Sequence, residues 1–173
     1  MRPRRIAIIF GLLVLAVPIQ TALLGRFALL GAKPELLTLL VVAVAMLEGP
    51  VTGALAGFAA GLLLDAQTSL PDGLSALVLA ATGATVGRIR LLIQRPSAWV
   101  PAASVGAATF ASMAIYALLA LLFGAPTGSA LRTVARILLA AAYGAALTPL
   151  VYPGLQRLLV QRPRTVIGSV VRR

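Results

Sequence analysis

Apolar residues fill six stretches of this chain, at 6–24, 36–47, 51–64, 74–86, 98–123 and 134–151. Polar and helix-breaking residues collect between them. Gly25, Arg26 and residues 31–34 close the first stretch, and Glu48-Gly49-Pro50 separates the second from the third. A polar turn at 65–73, a basic loop at 88–96 and a tight turn at 124–128 divide the rest. Pro34 and Pro50 suit the first turn of a helix, where the missing N–H does no harm. The pattern predicts an all-α polytopic integral membrane protein built as a single transmembrane domain. Its compact bundle of about six transmembrane helices covers roughly 6–24, 34–48, 50–65, 73–87, 98–123 and 132–152, followed by a basic tail at 153–173.

Length complicates this picture. A spanning helix needs about 20 residues, and the second and third spans have only about fifteen each. Either they sit in the bundle interior behind longer helices, or residues 34–65 form a re-entrant hairpin. Merging them into one span is disfavoured, because an interior proline costs about 3 kcal/mol and the Glu48 carboxylate adds more.

The third span carries a second pattern. Gly49, Gly53, Gly57 and Gly61 recur at every fourth position, bracketed by Glu48 and Asp65, two of the four acidic residues in the chain. Each interior glycine weakens a helix in water by about 1 kcal/mol relative to alanine. In lipid the same spacing opens a groove for close helix approach. The groove is expected to receive either a helix of the same bundle or a partner protein's span. Gly83 and Gly87 repeat the spacing in the fourth span.

Composition agrees with a membrane protein. Hydrophobic residues make up 60% of the chain and charged residues 11%, against about a quarter in soluble domains. The net charge of +11 would point to nucleic acid in a soluble protein. Here it sits in loops and tails and reads as topology and contact with anionic lipid. With the N-terminus in the cytoplasm, eleven basic residues fall inside and Arg26, Lys33 and Arg132 outside, with Arg136 one turn into the last span. This favours an N-in, C-in arrangement, with Asp65 and Asp72 outward and the Glu48 turn inward. The first span has basic residues before it, as a signal peptide does, but lacks a small-residue cleavage site and is read as a retained helix.

The candidate chemistry is sparse. Cysteine and histidine are both absent, which removes thiol chemistry, disulfides and the commonest metal ligand and general base. No paired carboxylates, nucleophile with base, phosphate loop or metal cluster stands out, so no enzyme, cofactor or metal site is expected. Glu48 reads as a helix cap at the turn before Pro50 or as a buried carboxylate that couples ions. Asp65 reads as a solvated turn residue or as an ion-pair partner of Arg132 or Arg136. Those two arginines, four residues apart, point the same way and either snorkel to headgroups or pair with Asp65 or another protein. Ser104, Thr109, Ser112 and Tyr116 give the fifth span a partial polar stripe, which either lines a cavity or bonds back to its own helix.

The residues of the hairpin also carry a family likeness. Pro34, Glu48-Gly49-Pro50, Gly53, Gly57-Phe58, Gly61-Leu62 and Asp65, with the later Gly73, Ala76 and Leu77, resemble the rod-shape-determining protein MreD family across roughly residues 34–80. The resemblance implies a non-enzymatic scaffold of the bacterial cell-shape and peptidoglycan-elongation complex, in the cytoplasmic membrane. It implies as partners an MreC-like membrane protein, the actin-like MreB filament and a RodA-type glycosyltransferase with a class B penicillin-binding transpeptidase. It also implies a distant likeness in fold to the substrate-binding subunits of energy-coupling-factor transporters. Gly49, Gly53, Gly57, Phe58 and Gly61 are then the expected packing or partner residues, and Glu48, Pro50, Asp65, Gly73, Arg132 and Arg136 the expected turn and polar residues. The alternative is a substrate-binding membrane subunit of a vitamin or small-molecule transporter, which needs a polar, aromatic-lined cavity.

Overall fold

The computed structural model describes residues 3–20, 35–67, 73–92, 99–122 and 129–159. The described residues form six helices and no strand: α1 (Pro3–Pro18), α2 (Leu36–Glu48), α3 (Pro50–Asp65), α4 (Leu74–Leu92), α5 (Val100–Leu122) and α6 (Ala130–Leu159). Three stretches are long and apolar enough to cross a membrane: Leu74–Leu92, Val100–Leu119 and Ala130–Leu159. The segments Arg5–Pro18, Leu36–Glu48 and Pro50–Asp65 are apolar but shorter.

The 13 residues of α2 reach about 20 Å at 1.5 Å per residue, less than a bilayer's hydrocarbon core. Its position compensates for its length. Every residue from Leu37 to Met46 is buried, as expected for a helix apolar on all sides. The other helices pack around it. From α1, Ile9, Leu13 and Ala16 reach the core at helical spacing, while Ile6, Phe10 and Leu15 face outward. On the far side, Leu39, Val42 and Met46 meet Val105 and Ala108 of α5.

Two pairings dominate the bundle, α3 with α4 and α5 with α6. The α2–α3 corner turns on Gly49, whose φ of 96° and ψ of −177° lie in a region essentially reserved for glycine. Pro50 follows at the first turn of α3, where its fixed φ suits helix initiation.

Two helices run further than the polar pattern indicates. α4 continues through Arg88 and Arg90 to Leu92, so these arginines are helical rather than in a loop. Both residues are exposed, and Arg90 Nη1 donates to the Leu47 carbonyl at 3.2 Å. α6 passes through Pro149 and Pro153 to Leu159, held by Leu155 and Leu159 in the core that α1 and α2 build. Tertiary burial there outweighs the helix-breaking tendency of the two prolines.

Candidate functional site

The glycine row of α3 is an interface of backbone on backbone. A Cβ added to Gly53 would lie 2.5 Å from the Ala45 Cβ and 2.7 Å from the Gly83 carbonyl oxygen. At Gly57 it would strike the Leu79 carbonyl group and come within 2.8 Å of the Ala80 nitrogen. At Gly61 it would strike the Ala76 backbone. α4 answers in kind: a Cβ on Gly83 would collide with the Gly53 carbonyl, and one on Gly87 would sit 2.5 Å from Pro50 Cα. The neighbour that fills the groove is therefore α4 of the same chain, with an edge of α2 at Ala45.

Gly49 and Phe58 stand apart from this row. Gly49 meets nothing within 4 Å, and its function is the left-handed corner before α3. Phe58 lies on the opposite ridge of α3 with Val51, Leu55 and Leu62, all of them exposed.

Asp65 closes the far end of the hairpin. It is 3% exposed, so the expectation of a solvated turn residue does not hold. Its Oδ2 accepts from the backbone N–H of Gly73 at 2.9 Å and of Ala76 at 3.2 Å, while Oδ1 accepts from Ser75 N–H at 3.1 Å. The carboxylate at the end of α3 thus caps the start of α4, satisfying orphan donors and facing the positive end of the helix dipole. Gly73, with φ of 97°, turns its own N–H into this cap. Asp72 and residues 68–71 lie outside the described residues.

Glu48 sits at the opposite end of the hairpin. Neither oxygen caps α3, whose N-cap is Gly49 with no side-chain hydrogen bond. Instead Arg5 Nη1 donates to Oε1 at 3.1 Å and to Oε2 at 3.2 Å, tying α1 to the α2–α3 corner. The capping expectation is corrected to a cross-helix ion pair, for a simple geometric reason: Glu48 is the last residue of α2, not the residue that opens α3.

Arg132 and Arg136 both occupy the exposed side of the first turns of α6. Arg136 also lines a cavity of about 290 Å³ between α2, α3, α4, α5 and α6. From the polar stripe of α5, Ser112 and Tyr116 reach this cavity. Ser104 and Thr109 do not; the Thr109 hydroxyl is buried without a hydrogen-bond partner among the described residues. The polar pattern does not single out Glu35 and Thr38, which also line the cavity, nor Arg5 as the partner of Glu48. Glu35 is legible only as one of four acids in the chain. That it shares a cavity with residues of α6 arises from the packing. Arg2, Arg26, Lys33, Arg95 and the tail beyond Leu159 lie outside the described residues.

The arrangement is one of helix packing and helix capping, and among the described residues no three His, Cys, Asp or Glu side chains gather as a metal site would require. No curated protein and no solved structure matches the chain. A family model does, described as rod shape-determining protein MreD, and it spans residues 4–159, from the first turns of α1 to the last residue of α6. The glycine row, its mate on α4 and the Asp65 cap all lie inside that match, and the chain belongs to the MreD family of rod shape-determining proteins.

Proposed function

We propose that this protein is a membrane scaffold of the bacterial cell-shape complex, acting by holding partners rather than by chemistry. The observation that carries this reading is the family match over residues 4–159, which takes in every described helix. The packing is consistent with it. A locked α3–α4 pair braced on a buried α2 is a rigid body able to present fixed surfaces.

The protein sits in the cytoplasmic membrane as a multi-pass protein with both termini inside. Arg5, Arg88, Arg90 and Arg157 share the bundle end where α1 begins and α2, α4 and α6 finish, and a basic end is the cytoplasmic one. Anionic lipid there contributes about 1 kcal/mol per Lys or Arg near the surface. The partners are an MreC-like membrane protein, the MreB filament and the RodA-type glycosyltransferase with its class B transpeptidase, linking the scaffold to peptidoglycan synthesis along the cell body. Because α4 occupies the glycine face, these partners engage other surfaces of the bundle.

Recovery of the tagged chain from detergent-solubilised membranes tests this reading. An MreC-like protein copurifying with it supports the scaffold. Copurification of an ATPase module in its place would move the chain to the transporter class.

A further inference from the structure

The cavity between the first turn of α2 and the first turns of α6 has an acidic side chain on one wall and a basic one on the other that do not meet. Glu35 stands at its α2 wall and Arg136 at its α6 wall. Thr38 Oγ1 donates to Glu35 Oε2 at 2.8 Å. Among the described residues, no cation pairs with Glu35 and no anion pairs with Arg136. Most of the remaining wall is apolar, with Met113 and Ile137 among its residues, and Tyr116 adds an amphipathic ring.

The cavity is open on one side and holds about 290 Å³, near the lower end of ligand pockets. A charge against apolar surface is costly unless it is neutralised. A ligand of one sign would satisfy one wall and repel the other. A zwitterion satisfies both, and hydrocarbon attached to it would cover the apolar wall.

We propose that this cavity binds a zwitterionic amphiphile of phosphoethanolamine type, with its ammonium on Glu35 and its phosphate on Arg136. Met113 and Ile137 take the adjoining hydrocarbon. The headgroup chemistry is shared by phosphatidylethanolamine and by free phosphoethanolamine. The site belongs to the isolated chain and does not depend on the scaffold reading.

The test is native mass spectrometry of the purified full chain in detergent, supplied with dioleoyl phosphatidylethanolamine or dioleoyl phosphatidylglycerol. The expected result is retention of the zwitterionic lipid over the anionic one by about tenfold or more, a difference of the order that one good interaction supplies. Glu35→Gln loses that preference, because only the ammonium tells the two lipids apart, and Arg136→Gln removes the phosphate contact common to both and lowers retention of each. Arg132→Gln, one turn away and outside the cavity wall, keeps both the preference and the retention. Arg136 is exposed, so its variant remains informative if Glu35→Gln fails to fold. Displacement of the lipid by excess free phosphoethanolamine supports the site with a soluble occupant, and resistance to displacement supports it with a lipid occupant. Equal retention of the two lipids by the wild type, or undiminished retention of phosphatidylethanolamine in Arg136→Gln, overturns the proposal.

Discussion

One carboxylate joins the ends of two helices here. Asp65 terminates α3 and accepts three backbone N–H groups from the start of α4. A side-chain cap contributes about 0.5–2 kcal/mol, and a buried anion at a helix N-terminus up to about 2 kcal/mol through the dipole. Asp65→Ala removes both contributions and is expected to lower the unfolding temperature of the purified protein by several degrees. Asp65→Asn keeps one acceptor oxygen and costs less, measured in the same melt. Gly57→Leu is more severe than either. Its side chain would enter the space of the Leu79 carbonyl, which is helix backbone and cannot rotate aside. Overpacking costs about 1–3 kcal/mol where side chains can adjust, and here they cannot. Membrane-inserted Gly57→Leu is expected to be degraded or aggregated, read as loss of a monodisperse peak on size exclusion, whereas Phe58→Leu on the exposed ridge leaves the peak intact. The sequence displays the glycine spacing openly, because period four in an apolar run has few other uses. The bonding of Asp65 is hidden, because an aspartate before a polar turn looks the same whether the next helix returns onto it or not. Gly49 shares the spacing of the row and yet serves as a corner, a difference that lies in its φ and not in its position.

At the scale of elements, the short helices are the informative ones. The all-round apolarity and short length of α2 fit a helix inside the bundle, one of the placements its sequence allows, and it is buried from Leu37 to Met46. The contacts that orient it are less visible. The Gln20 side chain accepts from Leu37 N–H at 3.1 Å, and Arg5 reaches Glu48 across 43 residues. Neither pair has a local signature. The prolonged α6 is illegible for the opposite reason: Pro149 and Pro153 signal a stop that packing overrides. α3 remains short for a membrane span, and its placement is open to a direct check, since the chain contains no cysteine. Gln67, just beyond α3, and Gln156, near the end of α6, are both exposed. In intact cells Gln67→Cys is expected to react with a membrane-impermeant maleimide and Gln156→Cys only after permeabilisation. Labelling of both only after permeabilisation would put the Asp65 end of α3 on the same face as the last turn of α6, against the alternation of the helices.

On the scale of the whole molecule, almost everything described is helix, and the two ends differ in charge and in content. One end gathers Arg5, Glu48, Arg88, Arg90 and Arg157, and the other holds the Asp65 cap and the cavity between Glu35 and Arg136. The separation of basic residues is legible along the chain, because loops alternate sides. The cavity is not, since its wall draws on five helices whose packing no local pattern specifies. Membership of the MreD family gives this architecture its biological setting, and the central claim is that the bundle supports cell shape as a rigid scaffold. Cell morphology after depletion of the protein in its own host tests that claim most directly. Rounded or swollen cells are predicted, restored by the wild-type chain and not by Gly57→Leu. Unchanged shape and growth after full depletion would contradict the account.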